Sequence, residues 1–268
     1  MQVGWISDIH LDFLDGNELK GFIGVLETCG VDAWLLTGDI GQANSVGGFL
    51  RMLESALLGK IYFVLGNHDY YGAGISRVRQ QVGAVAASSH RLIWLTQMDP
   101  QQLPGGAAIV GDDGWADARL GSPYITPVEL TDFFAIEDFR GLARQELVMQ
   151  LRALGDKAAS RLGPKLVQAA AANRRVLVLT HVPPFWEAAW HEGQLANKDW
   201  VPWFTCSAIG KVLMDAAIEY PSVVFDVLCG HTHSASQYSP VQNLTVYTAG
   251  AEYGAPSVQK VVDLAVHG

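Results

Sequence analysis

Five short apolar runs, each halted by a small residue and followed by a side chain able to bind a metal ion, constrain this chain more than any other feature. They cover residues 3–6, 33–36, 61–65, 176–179 and 223–228. Runs of this length, rich in Val, Ile and aromatics, are too short for buried helices and read as buried strands. Further strands are expected at 92–95, 107–110, 244–247 and 258–264, the last two as a C-terminal hairpin or meander. Helix-length segments at 17–29, 44–58 and 75–86 separate the early strands, which predicts an α/β layered domain with parallel strands. Thr126-Pro127-Val128-Glu129 has the form of a helix start, with Thr126 as N-cap and Glu129 as its capping-box partner. That helix is expected to break near Gly155-Asp156 and to end near residue 173. Another should cover 206–219, stopping before Pro221. The expected organisation is one domain over 1–268, with 111–173 and 183–203 as insertions or cap elements.

Asp8 and His10 follow the first run, Asp39 the second, Asn67 and His68 the third, His181 the fourth, and His231 and His233 the fifth. In an open α/β sheet, ligands bind beyond the carboxyl ends of the strands, so these groups can converge on one crevice. Gly38, Gly66 and Gly230 stand where sharp turns and close backbone approach would be needed. Histidine nitrogens mixed with carboxylate and amide oxygens suit manganese, iron, zinc, cobalt or nickel better than calcium. In an extended segment Asp8 and His10 would point to the same side and serve one ion. His231 and His233 would do the same only in an extended loop; in a twisted one each could serve a different ion. A single Asp-x-His or Gly-Asn-His-Asp is ordinarily a turn. The ordered set of five is what carries the inference.

That set, Asp8-Ile9-His10, Gly38-Asp39, Gly66-Asn67-His68-Asp69, His181 and Gly230-His231-Thr232-His233, resembles the calcineurin-like metallophosphoesterase superfamily. The resemblance implies a four-layer αββα sandwich, with loop and helical insertions here, and two divalent metal ions at the strand ends. It assigns Asp8, His10, Asp39 and His233 to one ion and Asp39, Asn67, His181 and His231 to the other, with Asp39 bridging. It keeps His68 off the metals and facing substrate. Asp69, also a candidate catalytic residue, would either orient His68 or cap the turn. The implied activity is metal-dependent hydrolysis of a phosphate ester by a hydroxide held between the ions. A small-molecule phosphodiester is preferred as substrate over a phosphomonoester of a small metabolite, because the inserted segments could wrap an organic substituent. A non-catalytic protein-binding scaffold on the same fold should have lost a ligand or His68, and none is missing. Protein phosphatases of the superfamily carry Gly-Asp-x-Val-Asp-Arg-Gly. Here Gly38-Asp39-Ile40-Gly41-Gln42-Ala43-Asn44 lacks the second aspartate and the arginine, which disfavours that activity.

A net charge of -9 argues against a nucleic-acid or membrane-surface partner, although bound cations can reverse the field locally. Cys29, Cys206 and Cys229 are scattered, which reads as reduced thiols and not a thiolate zinc site. No run approaches the roughly 20 apolar residues that span a bilayer, and the first residues lack a basic, cleavable leader; a cytoplasmic protein is expected. His90, His191 and His267 read as surface or loop residues, with His191 set apart by its nearness to Trp186 and Trp190. These tryptophans would share a face if helical, and with Trp200 and Trp203 they either line a substrate wall or pack segment 183–203 onto the domain. Packing is the preferred reading. Arg119 and Arg140 are expected to pair with carboxylates, and Asp112, Asp113 and Asp117 to form a solvated turn and not a further cation site.

Overall fold

A computed structural model describes residues 1–264 and arranges them as two stacked sheets flanked by helices. The first half alternates β1 (Gln2–Ile6), α1 (Gly16–Thr28), β2 (Ala33–Thr37), α2 (Val46–Ala56), β3 (Lys60–Val64), α3 (Ile75–Ala87) and β4 (Leu92–Trp94). β5 (Gln101–Leu103), β6 (Ala107–Gly111), α4 (Asp132–Ala135), α5 (Arg144–Ala172) and β7 (Arg175–Leu179) follow. After a small hairpin of β8 (Trp190–His191) and β9 (Gln194–Leu195) come α6 (Val201–Phe204), α7 (Ser207–Glu219) and β10 (Val224–Cys229). The last strands are β11 (Ser236–Val241), β12 (Leu244–Thr248) and β13 (Val258–Asp263). One sheet has the order β13-β1-β2-β3-β4, with β1 to β4 parallel and β13 antiparallel to β1. The other has the order β11-β12-β10-β7-β6-β5, parallel from β12 to β6 and antiparallel at both edges.

The period-two alternation of the strands builds the layers. Val3, Leu35, Val64, Ile109, Leu177 and Leu228 face one another between the sheets. Trp34, Leu36, Ile61 and Phe63 turn outward under α1, α2 and α3. Val176, Val178, Phe225 and Val227 turn outward under α5 and α7. Helices, sheet, sheet and helices make the four layers expected, with the carboxyl ends of β1, β2, β3, β7 and β10 carrying the loops that hold the candidate ligands. No helix among the described residues is long and apolar enough to cross a membrane.

Several local expectations are corrected. The run 258–264 makes no hairpin with 244–247: β12 pairs with β11, and β13 crosses to the other sheet to cover the edge of β1. No helix starts at Thr126. Its hydroxyl accepts from the Val128 N–H and donates to the Asp199 carbonyl, which fixes a loop instead. The long helix begins at Arg144, where the Glu146 carboxylate accepts from the Ala143 N–H at 2.9 Å. It runs without a break through Gly155, where the helix passes so close to Asp117 that an added Cβ would lie 2.6 Å from the Asp117 Cβ. The three aspartates form no solvated turn, since all are buried. Asp112 takes two bonds from Arg161, and Asp117 accepts from Arg119 and the Ala208 N–H. Arg119 pairs with Asp117 and Asp156 as expected, whereas Arg140 donates to the Phe134 and Ala135 carbonyls. His267 lies outside the described residues.

Candidate metal centre

The loops that follow the strands are held by one another. Asp8 N–H donates to the Gly38 carbonyl at 3.1 Å, and His10 N–H to that of Asp39 at 2.9 Å. Among the described residues, seven non-glycine residues have positive φ, and five are candidate ligands: Asp8 (49°), His10 (37°), Asp39 (52°), His231 (74°) and His233 (57°). Left-handed backbone costs an L-residue about 1 kcal/mol or more, and it gathers where geometry is functionally constrained. Asp8 and His10 are therefore brought together by turns and not by the extended segment expected. The loop at Gly230 is likewise twisted, and His231 and His233 face different neighbours. Gly38 is required on two counts. Its φ is 90°, and a Cβ there would sit 2.5 Å from the Gly66 nitrogen and 2.7 Å from His181 Nδ1.

Asp8, His10, Asp39 and His233 each present a ligand atom within 4.8 Å of the others, a group able to hold a metal ion. His10 Nε2 lies 3.2 Å from His233 Nε2 and 3.6 Å from Asp39 Oδ2, and His233 Nε2 is 3.5 Å from Asp8 Oδ1. Burial pushes the His10 imidazole down to about 3, more than the Asp8 charge can restore, so the ring is neutral and ready to donate a lone pair. Burial also pulls on His233, but the Asp8 hydrogen bond and charge and the Asp39 charge outweigh it and raise that ring above its ordinary value. Burial and the neighbouring Asp8 and Asp69 charges hold the Asp39 carboxyl far above the usual range. So crowded an anion calls for a cation beside it.

The other cluster is Asn67, His181, His231 and the second oxygen of Asp39. His181 Nδ1 lies 2.8 Å from the Thr37 carbonyl, and His231 Nε2 lies 2.9 Å from that of Trp203. A carbonyl can only accept, so each ring spends its one N–H there and turns a bare nitrogen to the other side. Those bare nitrogens, His181 Nε2 and His231 Nδ1, each lie 2.9 Å from Asn67 Oδ1. His181 Nε2 is also 3.4 Å from Asp39 Oδ1. Asn67 Nδ2 donates to Asp132 at 2.9 Å, which fixes the amide with its oxygen inward. Lone pairs thus face lone pairs with no proton between them. A divalent cation is the group that such a donor set fits.

All seven candidate ligands come together, and His68 stands beside them. Its backbone N–H donates to Asp39 Oδ1 at 2.9 Å, and its ring stacks on Tyr71 at 4.2 Å. Of the two roles weighed for Asp69, the geometry favours the turn. Its buried carboxylate accepts from the Ile40, Gly41 and Gly66 N–H groups at 2.8–3.0 Å, clamping the loops after β2 and β3. Asp113 does similar work one layer out, accepting from Leu65 N–H, Tyr70 Oη, Trp94 Nε1, Thr96 Oγ1 and Arg79. Sequence reasoning missed Asp132, which opens the single-turn helix α4 with no motif around it, and Tyr253, whose ring packs 4.6 Å from that of His10.

A cavity of about 230 Å³ opens over the cluster, lined in part by His68, Asp132, His191, Trp200, Phe204 and Tyr253. The tryptophans of 183–203 divide between the two roles weighed for them. Trp203 is wholly buried, and Trp186 is half-buried and donates to the Ala196 carbonyl at 2.6 Å. Trp190 is on the surface, while Trp200 lines the cavity with His191. His191 is therefore not the plain surface residue expected.

The family model for calcineurin-like phosphoesterases matches residues 1–235. No curated protein matches the chain by sequence. Among solved structures, it is similar to the phosphopantetheinyl hydrolase of Mycobacterium tuberculosis, with a TM-score of 0.67 at 15% identity over 94% of this chain and 90% of that one. A dimetal phosphatase from Danio rerio matches with a TM-score of 0.57 at 14% identity, over 93% and 87% of the two chains. A protein from Thermus thermophilus matches with a TM-score of 0.56 at 16% identity, over 93% and 88%. At these identities the structural neighbours speak for the fold, and the family model speaks for the chemistry. The chain belongs to the calcineurin-like phosphoesterase family and is a metal-dependent phosphoester hydrolase.

Proposed function

We propose that this enzyme hydrolyses small-molecule phosphodiesters at a dinuclear centre. Asp8, His10, Asp39 and His233 would hold one ion and Asp39, Asn67, His181 and His231 the other. The observation that carries the diester reading is the lining of the cavity, which among the described residues contains no lysine or arginine. A phosphomonoester brings two negative charges at neutral pH and a diester one. With Asp132 in the wall and neither lysine nor arginine among the described lining residues, the singly charged ester meets less repulsion.

A pair of divalent ions such as manganese would activate water and draw charge from the phosphoryl oxygens. Everything else falls to the chain. Asp39 spans the two clusters, with Oδ1 towards His181 and Oδ2 towards His10. Asp132 holds the Asn67 amide in place, and Asp69 fixes the loops from which Asp39 and His68 project. His68 is free of the donor clusters and lines the cavity, so its ring N–H can donate to an ester oxygen as charge develops there.

Turnover of bis-p-nitrophenyl phosphate against p-nitrophenyl phosphate, in manganese, tests the substrate class; a clear preference for the monoester defeats the reading. His68→Ala should keep two equivalents of metal and lose ~10²–10⁴-fold in kcat on the diester. Asp39→Ala should fail to hold the pair, as metal analysis of the purified variant would show.

A further inference from the structure

Beside the candidate centre, four rings form a chain. The Phe204 ring meets the His231 ring edge-on, at 5.4 Å and 88°. Trp200 stacks on Phe204 at 5.3 Å and 23°, and His191 packs 4.7 Å from Trp200 and 5.1 Å from Phe204. His191, Trp200, Phe204 and His231 all line the cavity. An aromatic wall therefore starts on a candidate ligand and runs along one side of the cavity, where a substituent on a bound phosphoryl group can lie against it.

The wall is fixed from behind. The Trp203 carbonyl, in the same short helix as Phe204, accepts from His231, and the buried Trp203 ring meets Phe133 edge-on at 5.2 Å. Asn197 accepts at its carbonyl from the Trp200 and Val201 N–H groups, and its side chain accepts from Asp199 N–H at 2.8 Å. The hairpin of β8 and β9 brings in His191, and the Ser234 hydroxyl accepts from Gly193 N–H at its tip. A preorganised set of ring faces gives up little freedom when it binds a flat partner. The four rings of the wall include no Lys, Arg, Asp or Glu side chain among the described residues. Both features suit a planar, uncharged ring.

We infer that Trp200, with His191 and Phe204, forms a subsite that stacks an aromatic or heteroaromatic substituent of the phosphodiester, and that Trp200 sets this specificity. The inference rests on the diester reading above and adds the chemistry of one ester arm. Stacking of a flat ring on an aromatic side chain is sensitive to alanine substitution and tolerant of the ring's identity. Apolar contact alone would not distinguish a flat ring from a puckered one of similar size.

Three singly charged phosphinates, which have no ester bond to cleave, separate these cases: methyl(phenyl)phosphinate, cyclohexyl(methyl)phosphinate and dimethylphosphinate. Their binding to the manganese-loaded enzyme is measured by calorimetry and, independently, as inhibition of bis-p-nitrophenyl phosphate turnover. The phenyl compound should bind about tenfold more tightly than the cyclohexyl one. Trp200→Ala should erase that advantage and leave the affinity for the methyl compound within twofold, while Trp200→Phe should keep part of it. Equal affinity for phenyl and cyclohexyl in the unaltered enzyme overturns the inference, as does an equal loss for all three probes in Trp200→Ala. An unaltered enzyme that turns over p-nitrophenyl phosphate but no diester defeats the diester reading and takes the subsite with it. An enzyme that cleaves the diester without favouring the phenyl probe defeats the subsite alone.

Discussion

Asn67 shows how much a single amide can decide. Its nitrogen is committed to Asp132, so its oxygen is left to face two imidazoles whose protons are already spent on the Thr37 and Trp203 carbonyls. Removing the anchor while keeping the ligand isolates that effect. Asp132→Ala should weaken binding of one of two manganese equivalents by about 10–100-fold and leave the other unchanged, as a calorimetric titration would resolve. Asn67→Ala should lower the bound metal from two equivalents towards one, read by elemental analysis. The ligands themselves were legible in the sequence because each follows the end of an apolar run within five residues. Their supports were not. Any residue supplies a carbonyl, so nothing in the type of Thr37 or Trp203 marks it as the group that sets a histidine's tautomer, and Asp132 starts a helix of a single turn, too short for a periodicity to flag it.

At the scale of elements, the loops after β2, β3 and β6 are bound together by buried carboxylates. Asp113 is the fullest case. It is almost completely buried and takes hydrogen bonds from the end of β3, from β4, from the chain just after β4 and from α3. Asp113→Ala would strand the Arg79 guanidinium and several buried donors, and should cost about 3–5 kcal/mol in urea unfolding. The same patch shows where sequence reading fails. Aspartates among glycines look like a wet turn, and only the distant partners Arg161, Arg79 and the Ala208 N–H make them dry. The central strands could be read because both their faces are buried and their apolar runs are continuous. The edge strands β5 and β11 could not, being polar and half-exposed, with Pro240 inside β11. Gly155 misled for a related reason: it reads as a helix break, yet α5 needs it to pass Asp117. Gly155→Leu should lower Tm by several degrees without altering helix content, measured by circular dichroism.

At the scale of the molecule, the two candidate ion sites draw on both sheets at once. Asp8, His10, Asp39 and Asn67 follow strands of the five-stranded sheet, while His181, His231 and His233 follow strands of the six-stranded one. Metal held across that junction should stabilise the whole stack by mass action, so chelation should lower Tm and added manganese restore it, in a reversible thermal scan. The apolar layer between the sheets acquires a second task from this arrangement. Val3, Leu35, Leu177 and Leu228 set how far apart the sheets lie, in the manner of a shim between the jaws of a caliper, and the jaws end in the donor atoms. Trimming the shim, for instance by Leu228→Ala, should therefore alter which divalent ion the enzyme prefers as well as how firmly it folds.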